Sequence, residues 1–245
     1  MPQSYFIWNG VDCRSMGILL AGPAAIIRPE ERVNHVQIPG RSGDLTETEG
    51  EDIYNSYIQT VTIHGHGGYR MREIFSWLRG SGYVTFSGEP DRRQQARIIG
   101  AITLNKHSRN LDWWSGEVQF YCQPLKELLK EDSTLISTSG AVLRNYGDVT
   151  CKPLILIVTT TGDSGACSLT ITDSASQAKT ISLTGLNTYS PYWIDCETME
   201  VLNYARTGTL TQRSSGEFPV MRPGANTITF TGLVRYTITK RERYL

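Results

Sequence analysis

The chain has 245 residues, 39% of them hydrophobic, and its 24 basic side chains balance 24 acidic ones to a formal net charge of zero. That length can bury a proper core, in one large β domain or two smaller ones, and the neutral balance excludes an electrostatic binder of polyanions. Five cysteines, at 13, 122, 151, 167 and 196, show no CxxC or Cys/His spacing, so free thiols in a reducing compartment are expected rather than a disulfide framework.

The opening MPQSYFIWNG lacks a basic region ahead of an apolar run, and no apolar span approaches membrane length, so a soluble protein made in a cytoplasm is expected. Tyr5–Trp8 reads as a strand ended by Asn9-Gly10, a dipeptide suited to a hairpin turn. Val33, Val36 and Ile38 mark the end of a further strand, which Pro39-Gly40 stops. Arg41-Ser42-Gly43-Asp44 is a turn-rich exit. The run TETEGEDIYNS then carries Glu47, Glu49, Glu51 and Asp52 without a basic residue or an apolar face, which predicts an extended, solvated arm over 42–56. Such an arm keeps its backbone donors and acceptors free for a strand of a neighbouring subunit.

Tyr57–His64 alternates, with Ile58, Val61 and Ile63 among Thr and Gln. The one clear helix is Tyr69–Arg79, where Met71, Ile74, Phe75 and Leu78 fall on one face and Gly80 stands at the C-terminal cap. Strands are expected at Tyr83–Phe86, Arg97–Leu104 and Gly116–Cys122, and Gln123-Pro124 closes this part. Leu125–Ser139 is charged, then rich in Ser and Thr, and reads as a linker. Beyond it Leu154–Thr160, Cys167–Thr172, Lys179–Leu183, Tyr192–Cys196, Glu200–Tyr204, Thr227–Phe230 and Val234–Thr239 read as strands of an antiparallel sandwich. The fold class is therefore mainly β with one helix: a first domain over 1–124, a linker over 125–139 and a β-sandwich over 140–245. Divided at Ser139, the halves carry 14 basic and 16 acidic residues, then 10 and 8, so neither is a nucleic-acid domain by charge.

Signals for chemistry are weak. His64 and His66 share one strand face, but a metal needs further ligands and only distant His35 and His107 remain; the surrounding glycines suggest turn histidines instead. The Ser42 and Ser164 segments, GRSG and GDSG, lack the spacing of a nucleophile elbow, and no phosphate-cradling glycine motif occurs. No cofactor, metal site or catalytic residue is expected. Tyr192 and Trp193 are the candidate contacts for a sugar, against a plainer role as core or cross-strand aromatics.

Several segments resemble the distal tail protein (Dit) family of siphophages, the baseplate hub at the end of long, non-contractile tails. FIWNGVDCRSMGILL looks like that family's opening strand, turn and strand; IPGRSGDL is similar to its Pro-Gly-Arg-x-Gly segment. IFSWLRGSGYVTFSGEPDRRQQARI resembles its helix, turn, strand and Pro-Asp turn, and FYCQP the end of its first domain. WIDCETMEV, GEFPVMRPGANTITFTG and TITKRERYL resemble the close of its C-terminal sandwich. The chain departs from the family at Ser42, often acidic there, and near Arg93 and Gln94, where aromatics are common. The resemblance implies a homohexameric ring closed by a belt, with galectin-like domains outside it. The implied partners are the tail tube protein, the tail-tip hub or tail-associated lysin and, in some relatives, a receptor-binding protein, while DNA passes through without specific binding.

These readings converge on a non-enzymatic virion protein at the distal tail, assembled in the host cytoplasm. Its expected subunit contacts are Arg41, Gly43, Asp44, Leu45, Glu47, Glu49, Ile53 and Tyr54, with Arg41 and Asp44 anchoring the root of the arm. The rival reading is a carbohydrate-binding module for host-surface adsorption, and a weaker third is a glycan hydrolase.

Overall fold

A computed structural model describes residues 3–67, 71–107, 113–159 and 166–245. The chain is mainly β, with antiparallel pairing throughout, and it divides into two compact units: Met1–Leu129 with Leu245, and Lys130–Tyr244.

The first unit contains β1 (Phe6–Trp8), β2 (Val11–Asp12), β3 (Ile18–Leu20), β4 (Val33–Val36), β5 (Leu45–Thr48), β6 (Tyr57–His66), α1 (Met71–Trp77), β7 (Ser81–Phe86), β8 (Arg92–Ile99), β9 (Leu104–Lys106) and β10 (Trp113–Leu128). Its main sheet has the order β2-β1-β7-β8-β10-β6-β3, and β9 also pairs with β10. The Asn9-Gly10 turn forms as expected, both residues at positive φ, and the Tyr83 N–H donates to Asn9 Oδ1 at 2.9 Å. One sheet face buries Phe6, Trp8, Val61, Ile63, Val118 and Phe120. Phe120 is the hub of this core, with Phe6, Trp8 and Phe86 at ring-centroid distances of 5.4, 5.5 and 5.7 Å.

The expected helix is shorter than Tyr69–Arg79; positions 69–70 lie outside the described residues, and α1 ends at Trp77. Gly80 does adopt the left-handed conformation, at φ 76°. The buried face differs too. Ile74 and Leu78 are buried, but Phe75 is 43% exposed. Trp77 takes its place, stacking on Phe6 and donating its indole N–H to the Trp8 carbonyl at 3.3 Å.

Pro124 does not close the first unit, because β10 runs on to Leu128. Its pairing with β8 shifts register between Cys122 and Lys126, and Pro124 sits in that irregularity, where a missing N–H breaks no ladder bond.

The second unit stacks two five-stranded sheets. One has the order β11 (Ser133–Ile136), β20 (Leu233–Thr239), β13 (Leu154–Thr159), β16 (Pro191–Asp195) and β17 (Glu200–Asn203). The other has β12 (Ala141–Asn145), β19 (Gly224–Thr231), β14 (Cys167–Thr172), β15 (Ala178–Leu183) and β18 (Ser214–Gly216). Alternation along these strands buries Ile155, Ile157, Leu169, Ile171, Ile181, Ile194, Ile228 and Ile238 in a common core. The segment read as a linker thus carries structure at both ends: Leu125–Leu128 belong to β10, and Ser133–Ile136 pair with Thr239–Tyr236. A Ser/Thr-rich edge strand needs one inward apolar residue, here Ile136, so its composition looks like that of a linker.

All five cysteines are free and buried. Burial pushes the Cys122 and Cys151 thiols up to about 12 and Cys167 to about 11, so none is a thiolate at neutral pH.

Candidate functional site

The residues expected to make subunit contacts lie on one feature, a two-stranded ribbon that is not part of any of the three larger sheets. β4 and β5 pair antiparallel, with Val33 opposite Thr48, Asn34 opposite Glu47, His35 opposite Thr46 and Val36 opposite Leu45. The expected extended arm is therefore half of a hairpin. The acidic strand has no apolar face of its own, but its backbone finds donors and acceptors on β4.

The ribbon is held at its base. The Arg32 N–H donates to the Ile53 carbonyl at 2.9 Å, the Asn55 N–H to the Glu30 carbonyl at 2.7 Å, and Glu31 bridges Tyr54. Arg32 adds a side-chain bond to Asn55 Oδ1 at 3.2 Å and an ion pair with Glu49 at 3.6 Å, and Asn34 donates to the same carboxylate at 3.3 Å. Arg32 therefore does the work expected of Arg41 and Asp44. Those two stand at the opposite end, exposed in the turn between β4 and β5, and neither has a side-chain partner among the described residues. Gly40 and Gly43 shape that turn at φ 84° and 80°.

No residue of β4 or β5 is buried. Val36 is 43% and Ile38 40% exposed, while Leu45, Ile53 and Tyr54 are half-buried. Val36 and Leu45 form a cross-strand apolar pair, and alternation puts Asn34 and Glu47 on the same ribbon face. Each strand also has one edge with unpaired backbone groups.

The other candidates separate. Tyr192 and Trp193 alternate on β16, so they cannot form one platform. Tyr192 lies in the core at 5% exposure, its hydroxyl accepting from the Asn187 N–H at 3.0 Å. Trp193 faces outward, donates to the Tyr204 carbonyl at 3.2 Å and carries the Arg206 guanidinium over its ring at 4.1 Å.

His64 and His66 are strand residues rather than turn residues. Gly65 between them points inward, opposite Trp114, whose indole fills the space a Cβ would need. His66 meets the Trp113 ring edge-on, and His107 Nε2 lies 2.5 Å from Ser115 Oγ. Among the described residues no group of three or more His, Cys, Asp or Glu side chains is placed to hold a metal ion. Ser42 is exposed in the ribbon turn, and Ser164 lies outside the described residues. No described helix is long and apolar enough to cross a membrane.

No protein-family model and no curated protein matches the chain. Solved structures do. The Dit protein (gp 19.1) of SPP1, described as a paradigm of the hub adsorption apparatus in Gram-positive infecting phages, superposes with a TM-score of 0.79 over 99% of both chains at 18% identity. A chain of the phage P2 baseplate in its activated conformation with calcium does so with a TM-score of 0.53 over 99% of both chains, at 10% identity. At such identities the likeness carries architecture, and the architecture of this chain is similar over its whole length to that of the SPP1 Dit protein.

Proposed function

We propose that the protein is a structural hub of a phage tail, a homohexameric ring whose subunits are fastened by the β4–β5 ribbon. The observation that carries this reading is the ribbon itself. A two-stranded hairpin with no layer behind it is marginal in water, yet this one has a built base and presents an apolar pair at its far end. Such a feature becomes stable when another chain covers it. Delivery of one patch to a different patch on the next subunit is the head-to-tail contact that closes a ring.

The fold likeness to Dit supports the setting: the distal end of a virion tail, with the tail tube protein on one side and a tail-tip hub or lysin on the other, and receptor-binding proteins as further partners. The zero net charge suits a passage for DNA, since a strongly basic lining would hold the polyanion by counterion release. The hub reading assigns no catalysis. The carbohydrate alternative loses its platform, because Tyr192 is in the core and Arg206 covers the outward indole.

Native mass spectrometry tests the proposal. The full chain should appear as a closed ring of six, and replacing residues 35–46 by a two-residue Asn-Gly turn, which leaves the base intact, should give folded monomers. A shortened variant that assembles as well as the parent would remove the ribbon from the mechanism.

A further inference from the structure

The outward face of the first unit's sheet is mostly polar, but it carries exposed apolar side chains at Leu19 and Trp113 beside His64 and His66, and again further along β6. Along β6 the inward residues are Val61 and Ile63, and the outward ones are Thr60, Thr62 and His64, as expected for a sheet solvated on one side. Ile58 is also outward, and it is 49% exposed. The residue directly opposite on β10 is Tyr121, 41% exposed, and the residue beyond it on β8 is Arg97. One cross-strand row thus presents an isoleucine, a tyrosine and a guanidinium side by side. Tyr83 extends the patch at 39% exposure, with Arg93 stacked over its ring at 4.4 Å.

The two arginines differ. Arg93 is engaged, by Tyr83 and by Glu127 at 3.4 Å. Among the described residues Arg97 has no ion-pair or hydrogen-bond partner for its side chain. Further along β10 the patch meets a groove of about 490 Å³, lined in part by Thr62, Ile99, Glu117 and Gln119. Exposed Tyr, Ile and Arg in one contiguous row is the composition of a binding hot spot rather than of a solvated face.

The ribbon carries the complementary set. Its Val36–Leu45 pair is apolar, with Val36 exposed and Leu45 half-buried, and Glu47, two residues from Leu45 on the same face, has no side-chain partner among the described residues. The two surfaces are complementary in composition and charge: an apolar cross-strand pair beside an unpaired carboxylate, and an apolar cross-strand pair beside an unpaired guanidinium.

We infer that the Ile58–Tyr121–Arg97 row is the seat for the ribbon of a second copy of this chain, with Val36 and Leu45 packed on Ile58 and Tyr121 and Glu47 paired with Arg97. This rests on the reading of the ribbon as the ring's fastener, and it names what the fastener holds.

Charge exchange tests the seat. Glu47→Arg alone and Arg97→Glu alone should each weaken assembly at least tenfold, read as the protein concentration at which half the chains are in rings by native mass spectrometry. The double variant Glu47→Arg/Arg97→Glu should restore assembly to within a few-fold of the parent. Both residues are exposed, so the melting temperature of the first unit should stay put and separate lost assembly from lost folding. Single variants that assemble like the parent, or a double variant no better than either single, would overturn the seat. If the ribbon-shortened variant is monomeric and the charge variants are not, the ribbon fastens and this row is not its seat. A monomeric parent, or a shortened variant that still forms rings, overturns the fastener and the seat together.

Discussion

Gly65 shows how a chemical-looking motif can have a steric cause. His-Gly-His on a strand invites a metal, but the middle residue is fixed by the strand beside it: Trp114 lies opposite, and its indole occupies the position of a Cβ. Gly65→Ala must therefore displace a tryptophan that is 1% exposed, and we expect it to cost about 2 kcal/mol as an overpacked core does. His64→Ala and His66→Ala, on the outward face, should stay within about 0.5 kcal/mol of the parent. Thermal melts of the three variants check this, with elemental analysis alongside. Near-stoichiometric zinc that disappears with either histidine would reverse the assignment.

At the scale of elements, the ribbon turn offers a direct readout of assembly. Arg41 is exposed in that turn, with its flanking glycines at positive φ. If the far end of the ribbon is covered in the ring, trypsin should cleave after Arg41 at least tenfold more slowly in assembled protein than in monomers of the Arg97→Glu variant, as followed by intact-mass measurement. Equal rates would place the turn outside the contact. The same element marks where sequence reasoning stops. Val36 to Leu45 announced a strand and a turn through Pro39-Gly40, but the acidic partner strand was illegible, since Glu47 and Thr48 pair through backbone alone and share no apolar period. β11 was hidden for a similar reason, reading as Ser/Thr linker with only Ile136 turned inward. Strands that feed a two-sided core, such as Cys167–Thr172, were legible to the residue. The seat left a trace as well, because Ile58 is out of phase with Val61 and Ile63; that parity becomes visible only once β10 and β8 are known to lie beside it.

For the whole molecule, the two units hold separate cores, so their stabilities should respond separately to acid. The second unit contains two carboxylates held below the usual range. Burial alone would raise Asp195, but the two Arg241 bonds at 2.7 and 3.0 Å and the N–H groups of Glu197 and Thr198 outweigh it. Burial would likewise raise Glu242, yet the Lys240 ammonium, the Tyr146 N–H and the Tyr244 hydroxyl bring it down. A depressed folded-state pKa gives stability that is complete above the unfolded value, near 4, and is lost as pH falls through the folded one. Among the described residues of the first unit the lowered carboxylate is Asp12, on the surface beside Arg14, where solvent screening leaves little to lose. Calorimetry between pH 7 and pH 2.5 should therefore show two transitions. The one shared with an isolated 130–245 fragment should fall more steeply below pH 4. Asp195→Asn and Glu242→Gln should flatten that fall, at a cost of about 3 kcal/mol each at pH 7 from the part-buried cation left without its carboxylate. A single transition, or a fragment that does not fold alone, would make the chain one cooperative body. A sandwich transition indifferent to pH would take these two carboxylates out of its stability.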